Sequence, residues 1–384
     1  MQFEFATVPR ILFGLGKVNS IGTLASEFGT RAFIVSGVPK TLSDRLIELL
    51  EARDITCSIV KINQEPTIEL LYRLVDLTRQ YSPDLIIGFG GGSALDSSKA
   101  TAALLSNPGE VTDYLEIIGL NKPLTNPSLP LIAIPTTSGT GSEVTKNAVL
   151  SSLQHLVKVS LRSPYLFPKI ALVDPVLTLS VPPPITAFTG LDALTQLIEP
   201  YTCNDPNPLT DALCLEGIQR VARSLFQAYD DGSSLQARED MSLASLFSGL
   251  ALANARLGAV HGLAGPIGGE IPAAHGAICA CLLPYVMEVN LDALLEKAPR
   301  HPVLDRFNTI GKILSGDPTA TANAGLHWIR NFCRHANIPQ LSVYGLSETQ
   351  FDKILENADK ASSMKGNPIT LSDHDLRSIL QKAL

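Results

Sequence analysis

The sequence predicts an α/β domain built on a parallel sheet, followed by an all-helical domain, and three observations carry that prediction. Short apolar, β-branched runs alternate with helical patterns up to about Asp174. A proline cluster, LSVPPP at 179–184, then interrupts local structure, and only long helical patterns follow it. The chain has 384 residues, 45% of them hydrophobic, which suits two domains at roughly 100–200 residues each. The expected division is 1–180 for the α/β part and 181–384 for the all-α part.

The strand runs, in order, are AFIVS (32–36), CSIVKI (57–62), DLIIGFG (84–90), LIAIP (131–135) and IALVD (170–174). Strands apolar on both faces belong inside a sheet covered by helices, which is the parallel arrangement. Past the prolines, DALCLEGIQRVARSLFQAY (211–229) and REDMSLASLFSGLALANA (238–255) repeat apolar residues at helical spacing. No internal repeat or low-complexity tract is evident.

Composition narrows the partners. The 30 basic and 37 acidic residues, net charge −7, include no cationic block, which argues against nucleic acid and for small molecules. The N-terminal MQFEFATVPRILFG lacks the pattern of a signal peptide, and no run of about 18 apolar residues stands out, so a soluble cytoplasmic protein without a membrane segment is expected. Six cysteines make no disulfide framework in a chain this long. Cys279 and Cys281 form a C-x-C without the second pair of a zinc site, so buried, reduced thiols are expected.

Two polar stretches in the first half invite a ligand. In DLIIGFGGGSALDSSKATAALL (84–105) an apolar strand runs into Gly90, Gly91 and Gly92, with Ser93 as the expected N-cap of a helix carrying Asp96 and Lys99. Glycines let a backbone approach a ligand closely and helix N-termini attract anions, so a pyrophosphate suits this turn. It is not a P-loop, because Lys99 comes too late, and a plain strand-to-helix turn needing glycine for its dihedrals is the alternative. After LIAIP, the loop TTSGTGSEVTKNAVL (136–150) offers hydroxyls at Thr136, Thr137, Ser138, Thr140 and Ser142 at a strand's C-terminal end, where open α/β sheets bind ligands.

The second half carries a different chemistry. In GLDALTQLIEP (190–200), Asp192 and Gln196 stand at i and i+4 on one helix face, as a solvated edge or as a ligand site. In AVHGLAGPIGGEIPAAHGAICA (259–280), a Gly/Pro-rich break separates His261 from His275, so the rings come from separate segments and can converge. Imidazole and carboxylate are ordinary ligands for Fe2+ or Zn2+, although packed or surface histidines fit the same pattern.

Four motifs in order, GGGSALDSSKA, PTTSGTGSEVTKNAVL, FTGLDALTQLIEPY and HGLAGPIGGEIPAAHG, resemble the iron-containing (group III) alcohol dehydrogenases over about residues 10–285. The last hundred residues are compatible with that family. The resemblance implies the dehydroquinate synthase-like fold, a dinucleotide cofactor, and hydride exchange between NAD(P)(H) and a small alcohol, aldehyde or ketone. It places Gly91, Gly92 and Ser93 at the cofactor pyrophosphate and Asp96 toward the nicotinamide. Thr136, Thr137, Thr140, Ser142, Asn147 and Lys158 would line the rest of the cofactor site. Asp192, His261 and His275 match three of the family's four metal ligands and carry catalysis. The fourth is commonly a histidine, and Gln196 stands in its place, a weaker ligand for Fe2+ or Zn2+. Gly265 occupies the position of a further family histidine, which removes a proton carrier.

In NAD-preferring relatives an acid follows the second strand, where FIVSGVPK has Gly37. Without that charge a 2′-phosphate is not repelled, and Lys40 is nearby in sequence, so NADP is expected over NAD. Glu65 replaces the asparagine of the family's N-P-T. Several alternatives share the architecture: a maleylacetate reductase-like activity, a hydroxyacid–oxoacid transhydrogenase, sugar-acid cyclisation of the dehydroquinate synthase kind, or a nucleotide-binding protein with impaired catalysis. If no metal binds, Gln196 and the two histidines would hydrogen-bond the substrate oxygen. A homodimer or higher homo-oligomer is expected, with the N-terminal segment as a strand that pairs across it.

Overall fold

The computed structural model describes residues 2–152, 154–155 and 157–384. The chain forms two compact units. One comprises Ala6–Thr137 and Gly141–Leu179; the other comprises Ser180–Leu384 with Ser138–Thr140 and the N-terminal residues up to Phe5.

The first unit alternates strand and helix: β1 (Arg10–Phe13), α1 (Ile21–Ala25), β2 (Arg31–Ser36), α2 (Lys40–Glu51), β3 (Thr56–Lys61), α3 (Ile68–Tyr81), β4 (Leu85–Gly90), α4 (Gly92–Ser106), α5 (Val111–Tyr114) and β5 (Leu131–Pro135). An antiparallel pair, β6 (Asn147–Ser152) and β7 (Val157–Arg162), precedes β8 (Ile170–Val173). Six strands make one parallel sheet in the order β1-β8-β5-β4-β2-β3. Every residue of β4 and β5 is buried, as central strands covered on both faces require. The sheet thus brings the C-terminal ends of β2, β4 and β5 side by side.

The predicted strands are present with small shifts, and the differences are instructive. β8 stops at Val173, because Asp174 turns its carboxylate to the backbone N–H groups of Gly16, Val18 and Val176. The segment 2–8 is not a strand; β1 begins at Arg10 and pairs with β8 at the sheet edge. The β6–β7 pair lies partly inside the stretch read as a polar loop, and its alternating burial is short enough to pass for loop in sequence.

Ser93 is not the N-cap of α4. The helix starts at Gly92 with Gly91 as cap, two residues earlier than expected. The cause is Gly90, held at φ +153°. A Cβ there would lie 2.8 Å from the Ala94 Cβ and 3.1 Å from the Gly37 Cα, so the chain can turn this tightly only without a side chain.

The second unit is helical: α6 (Pro183–Thr202), α7 (Pro208–Asp230), α8 (Leu235–Asn254), α9 (Ala259–Glu270), α10 (His275–Lys297), α11 (Val303–Ser315), α12 (Ala322–His335), α13 (Phe351–Lys360) and α14 (Asp373–Lys382). Pro183 and Pro208 sit in first turns, where the missing N–H costs nothing. Asn207 caps α7 by accepting the Thr210 N–H. The core gathers Leu191, Leu194, Leu197, Cys214, Ile218, Val221, Leu263, Ile278 and Leu282, among others, all at 0% exposure. By length and mean hydropathy α10 is apolar enough to cross a membrane, although Glu288 and Asp292 interrupt its apolar run, and 78% of its apolar window is buried inside this unit, as befits a core helix.

Replacing Gly90 with alanine forces a side chain into a positive-φ position and into Ala94. A loss of about 1–3 kcal/mol is expected, read as a lower denaturant midpoint with unchanged slope; an unchanged midpoint would mean that the turn relaxes freely.

Candidate active site

In the helical unit one stripe of α6 carries three buried polar residues, Asp192, Gln196 and Glu199, at i, i+4 and i+7. The same helix spends Leu191, Leu194, Leu197 and Ile198 on the core, so the stripe is an internal face and not the solvated edge its sequence also allowed. Two further helices bring their ends to it. A Cβ at Gly276 would meet the Phe188 carbonyl at 3.0 Å, so glycine there lets the start of α10 approach α6 closely, with His275 as its first residue. The start of α9 is held by side chains that satisfy its free amides: Asn367 Oδ1 accepts the Ala259 N–H at 3.1 Å and Glu199 Oε1 accepts the Val260 N–H at 2.7 Å.

His261 and His275 do converge, with ring centroids 5.5 Å apart. Their Nε2 atoms lie 3.6 and 3.8 Å from Asp192 Oδ1. Glu199 Oε2 is 2.6 Å from His261 Nδ1, which orients the ring and leaves Nε2 toward Asp192. Gln196 donates its Nε2 to Asp192 Oδ2 at 3.0 Å and lies 3.5 Å from the Gly139 carbonyl. Asp192 Oδ1 and Gln196 Oε1 are buried without a hydrogen-bond partner. Cys279, one turn after His275, completes the group: its sulfur is 3.5 Å from His275 Nε2 and 4.0 Å from His261 Nε2.

Electrostatics reflect this crowding. Burial alone would raise the Asp192 carboxyl, but the neighbouring imidazoles of His261 and His275 hold it below its ordinary value. Burial likewise disfavours a charged His261, yet Cys279 and the carboxylates Glu199 and Asp192 around it hold the ring well above the usual histidine range. The Cys279 thiol is pushed up to about 12, by burial first and by Asp192 next. One buried carboxylate, two imidazoles and a thiol in one cluster form a donor set for a divalent cation, and the unsatisfied Asp192 oxygen fits that use.

In the α/β unit the glycine turn and the hydroxyl loop meet. The Thr136 N–H donates to the Gly90 carbonyl at 3.0 Å, and Gly91 faces Thr137 so closely that a Cβ would be 3.2 Å from its Oγ1. Asp96 serves the loop: it accepts the Ser142 hydroxyl on Oδ1 and the Val149 N–H on Oδ2. Lys99, fully buried, pairs with Asp96 Oδ1 at 3.0 Å and donates to the Ser142 carbonyl and Thr145 Oγ1. It also donates to the Asn147 carbonyl, tying α4 to the loop. Lys158 is paired with Glu65 at 2.6 Å. Thr140 belongs with Ser138 and Gly139 to the helical unit, apart from Thr136, Thr137 and Ser142. Gly37 donates its N–H to the Phe89 carbonyl, next to Gly90. Lys40 is exposed and paired with Asp44.

Residues 9–175 match the iron-containing alcohol dehydrogenase family, and residues 186–384 match that family's C-terminal region. The chain belongs to the iron-containing alcohol dehydrogenases. It is 38% identical to long-chain-alcohol dehydrogenase 1 of Geobacillus thermodenitrificans over 322 residues, 83% of this chain and 80% of that one. A 1,3-propanediol oxidoreductase crystal structure superposes with a TM-score of 0.91 at 31% identity, covering 100% of both chains. Sulfoacetaldehyde reductase of Bifidobacterium kashiwanohense, solved with NAD+, superposes with a TM-score of 0.85 at 28% identity, over 99% of this chain and 98% of that one. Like its family, this iron-containing alcohol dehydrogenase is an oxidoreductase that exchanges hydride between a nicotinamide dinucleotide and an alcohol or its carbonyl product.

From sequence, Glu199 fits a functional residue and a salt-bridged helix face equally well, and Cys279 reads only as a buried thiol. The signals were present as D-x3-Q-x2-E on one stripe of α6 and H-x3-C on one face of α10. Gly265 faces open space, with no atom within 4 Å of where its Cβ would stand.

Glu143 in the hydroxyl loop is fully buried beside Lys99, and its carboxyl is raised from 4.5 to about 7, chiefly by burial and against the pull of Lys99. The folded chain then keeps a proton that the unfolded chain releases above about pH 4.5, so stability falls as pH rises toward about 7 and levels off beyond it. The Tm of Glu143→Gln should therefore fall less than that of wild type between pH 5 and 7.5; parallel curves would show that Glu143 ionises normally.

Proposed function

We propose that this chain is a metal-assisted, NADP-preferring dehydrogenase of small alcohols and aldehydes, with the α/β domain at 1–180 and the helical domain at 181–384. The observation that carries the metal reading is Asp192 Oδ1, buried, unbonded and flanked by the Nε2 atoms of His261 and His275. These three residues would hold a divalent ion, which would supply Lewis-acid polarisation of a carbonyl or alkoxide oxygen. The chain's own residues do the rest. Glu199 fixes the His261 ring, the Gln196 amide holds the second Asp192 oxygen, and the open space beside Gly265 leaves room for the carbon skeleton of a substrate.

For the cofactor, the early turn of α4 supports Gly91, Gly92 and Ser93 as the pyrophosphate site, since a helix leaves its first amides without intrahelical acceptors. Thr136, Thr137, Thr140, Ser142, Asn147 and Lys158 are proposed to contact the remainder, with Asp96 acting through the loop it clamps. Gly37, in place of an acid after β2, supports NADP, although the Lys40 charge is already shared with Asp44.

The test is NADPH- and NADH-linked reduction of a short aldehyde panel, with elemental analysis of the same sample before and after chelation. Near one Fe or Zn per chain, activity lost on chelation and faster turnover with NADPH are expected. Full activity in metal-free protein would sink the metal assignment and leave His261, His275 and Gln196 as hydrogen-bonding groups; faster turnover with NADH would reverse the cofactor assignment. Cofactor binding without turnover of any substrate would favour a nucleotide-binding protein that has lost catalysis.

The chain is also proposed to form a homodimer or larger homo-oligomer, because β1 lies at the sheet edge and an edge strand offers a ladder for a second chain. Light scattering should return at least twice the chain mass; a strictly monomeric species at working concentration would remove this proposal.

A further inference from the structure

We infer that Cys279 is the fourth protein ligand of the ion proposed for Asp192, His261 and His275, and that Gln196 is a positioning residue outside the coordination shell. The inference rests on the metal reading above and specifies which ion that site selects.

Geometry separates the two candidates for the fourth position. The Cys279 sulfur, one imidazole nitrogen from each of His261 and His275, and an Asp192 oxygen all lie within 4.8 Å of one another. Bonds of about 2.0–2.3 Å at a tetrahedral angle set ligand atoms about 3.3–3.7 Å apart. The separations here are 3.5 Å for Cys279 to His275, 3.6 and 3.8 Å for the two rings to Asp192, and 4.0 Å for Cys279 to His261. For these four pairs, closure around an ion needs shifts of only a few tenths of an ångström.

Gln196 is arranged differently. Its Nε2 donates to Asp192 Oδ2 at 3.0 Å, which commits the amide to the carboxylate, while its Oε1 is buried without a hydrogen-bond partner, so the Gln196→Ala arm of the test below reads whether that oxygen binds the ion. That bond occupies one carboxylate oxygen and leaves Oδ1, the oxygen nearest both rings, without a partner. Glutamine at 196 therefore orients Asp192 for coordination, as Glu199 orients His261. His275 and Cys279 occupy i and i+4 at the start of α10, so one rigid turn presents both donors on the same face.

Donor chemistry then decides the ion. Two imidazoles, one carboxylate and one thiolate form a mixed nitrogen, oxygen and sulfur set in which the soft sulfur favours Zn2+ over Fe2+. Cys281, two residues on, does not compete, because its sulfur faces Gln340 and the Ala383 carbonyl.

The test is Co2+ substitution in the full-length chain, followed by electronic absorption and by competition of Zn2+ with a chromogenic chelator. Wild type should show an intense near-ultraviolet sulfur-to-cobalt charge-transfer band, a readout that needs no variant. The band should persist in Gln196→Ala and vanish in Cys279→Ser, whose Zn2+ affinity should fall at least about tenfold, with circular dichroism confirming its fold. Cobalt bound at one per chain without the band, or a Cys279→Ser chain that keeps wild-type affinity for Zn2+, overturns the cysteine ligand while the metal reading stands. Failure of wild type to bind either ion removes the metal reading and this inference together.

Discussion

A carboxylate oxygen left without a hydrogen bond in a fully buried position is the constraint around which the helical unit is arranged. Asp192 reaches that position on a helix otherwise devoted to core leucines. A buried charge without partners is costly, so the fold surrounds Asp192 with imidazoles and fixes its other oxygen with an amide. Those neighbours need support in turn. Glu199 holds His261 while accepting an amide from the start of α9, and Asn367 takes the preceding amide. One polar stripe thus fixes the entry of α9 and the orientation of the ring it carries.

The α/β unit solves a related problem with a cation. Lys99 is buried and, among the described residues, meets one side-chain carboxylate within ion-pair distance, Asp96, together with carbonyl and hydroxyl oxygens of the 142–147 loop. Burial lowers its pKa, and the nearby acids Asp96 and Glu143 oppose that fall. Asp96 in turn clamps Ser142 and Val149. A loop rich in glycine and hydroxyls is thereby given a defined shape, which is what a preorganised binding surface needs. Lys99 is the centre of that clamp.

The comparison of the two units shows where family resemblance and local chemistry part. The family models over 9–175 and 186–384 and the superposed fold establish the family. Gln196, Gly265 and Cys279 are the local chemistry of this chain. Gly265 stands four residues after His261 on α9, and the Cys279 sulfur lies beside both rings.

By itself the sequence determined what depends on local pattern: the alternation that makes a parallel sheet, the helical spacing after the prolines, the glycine turn, and the i, i+4 relation of Asp192 and Gln196. Strand ends were less legible, because Asp174 leaves β8 to satisfy amides far away in sequence, and the start of α4 depends on Gly90 meeting Gly37 and Ala94. Only tertiary structure decided which polar residues share a site. Sequence spacing cannot tell that Cys279 faces the two rings while Cys281 faces Gln340, since both are simply buried cysteines two residues apart. Nor can it tell that the glutamine turns its N–H to the aspartate. Those outcomes follow from how α6, α9 and α10 pack, and packing is a property of contacts between segments distant in the chain.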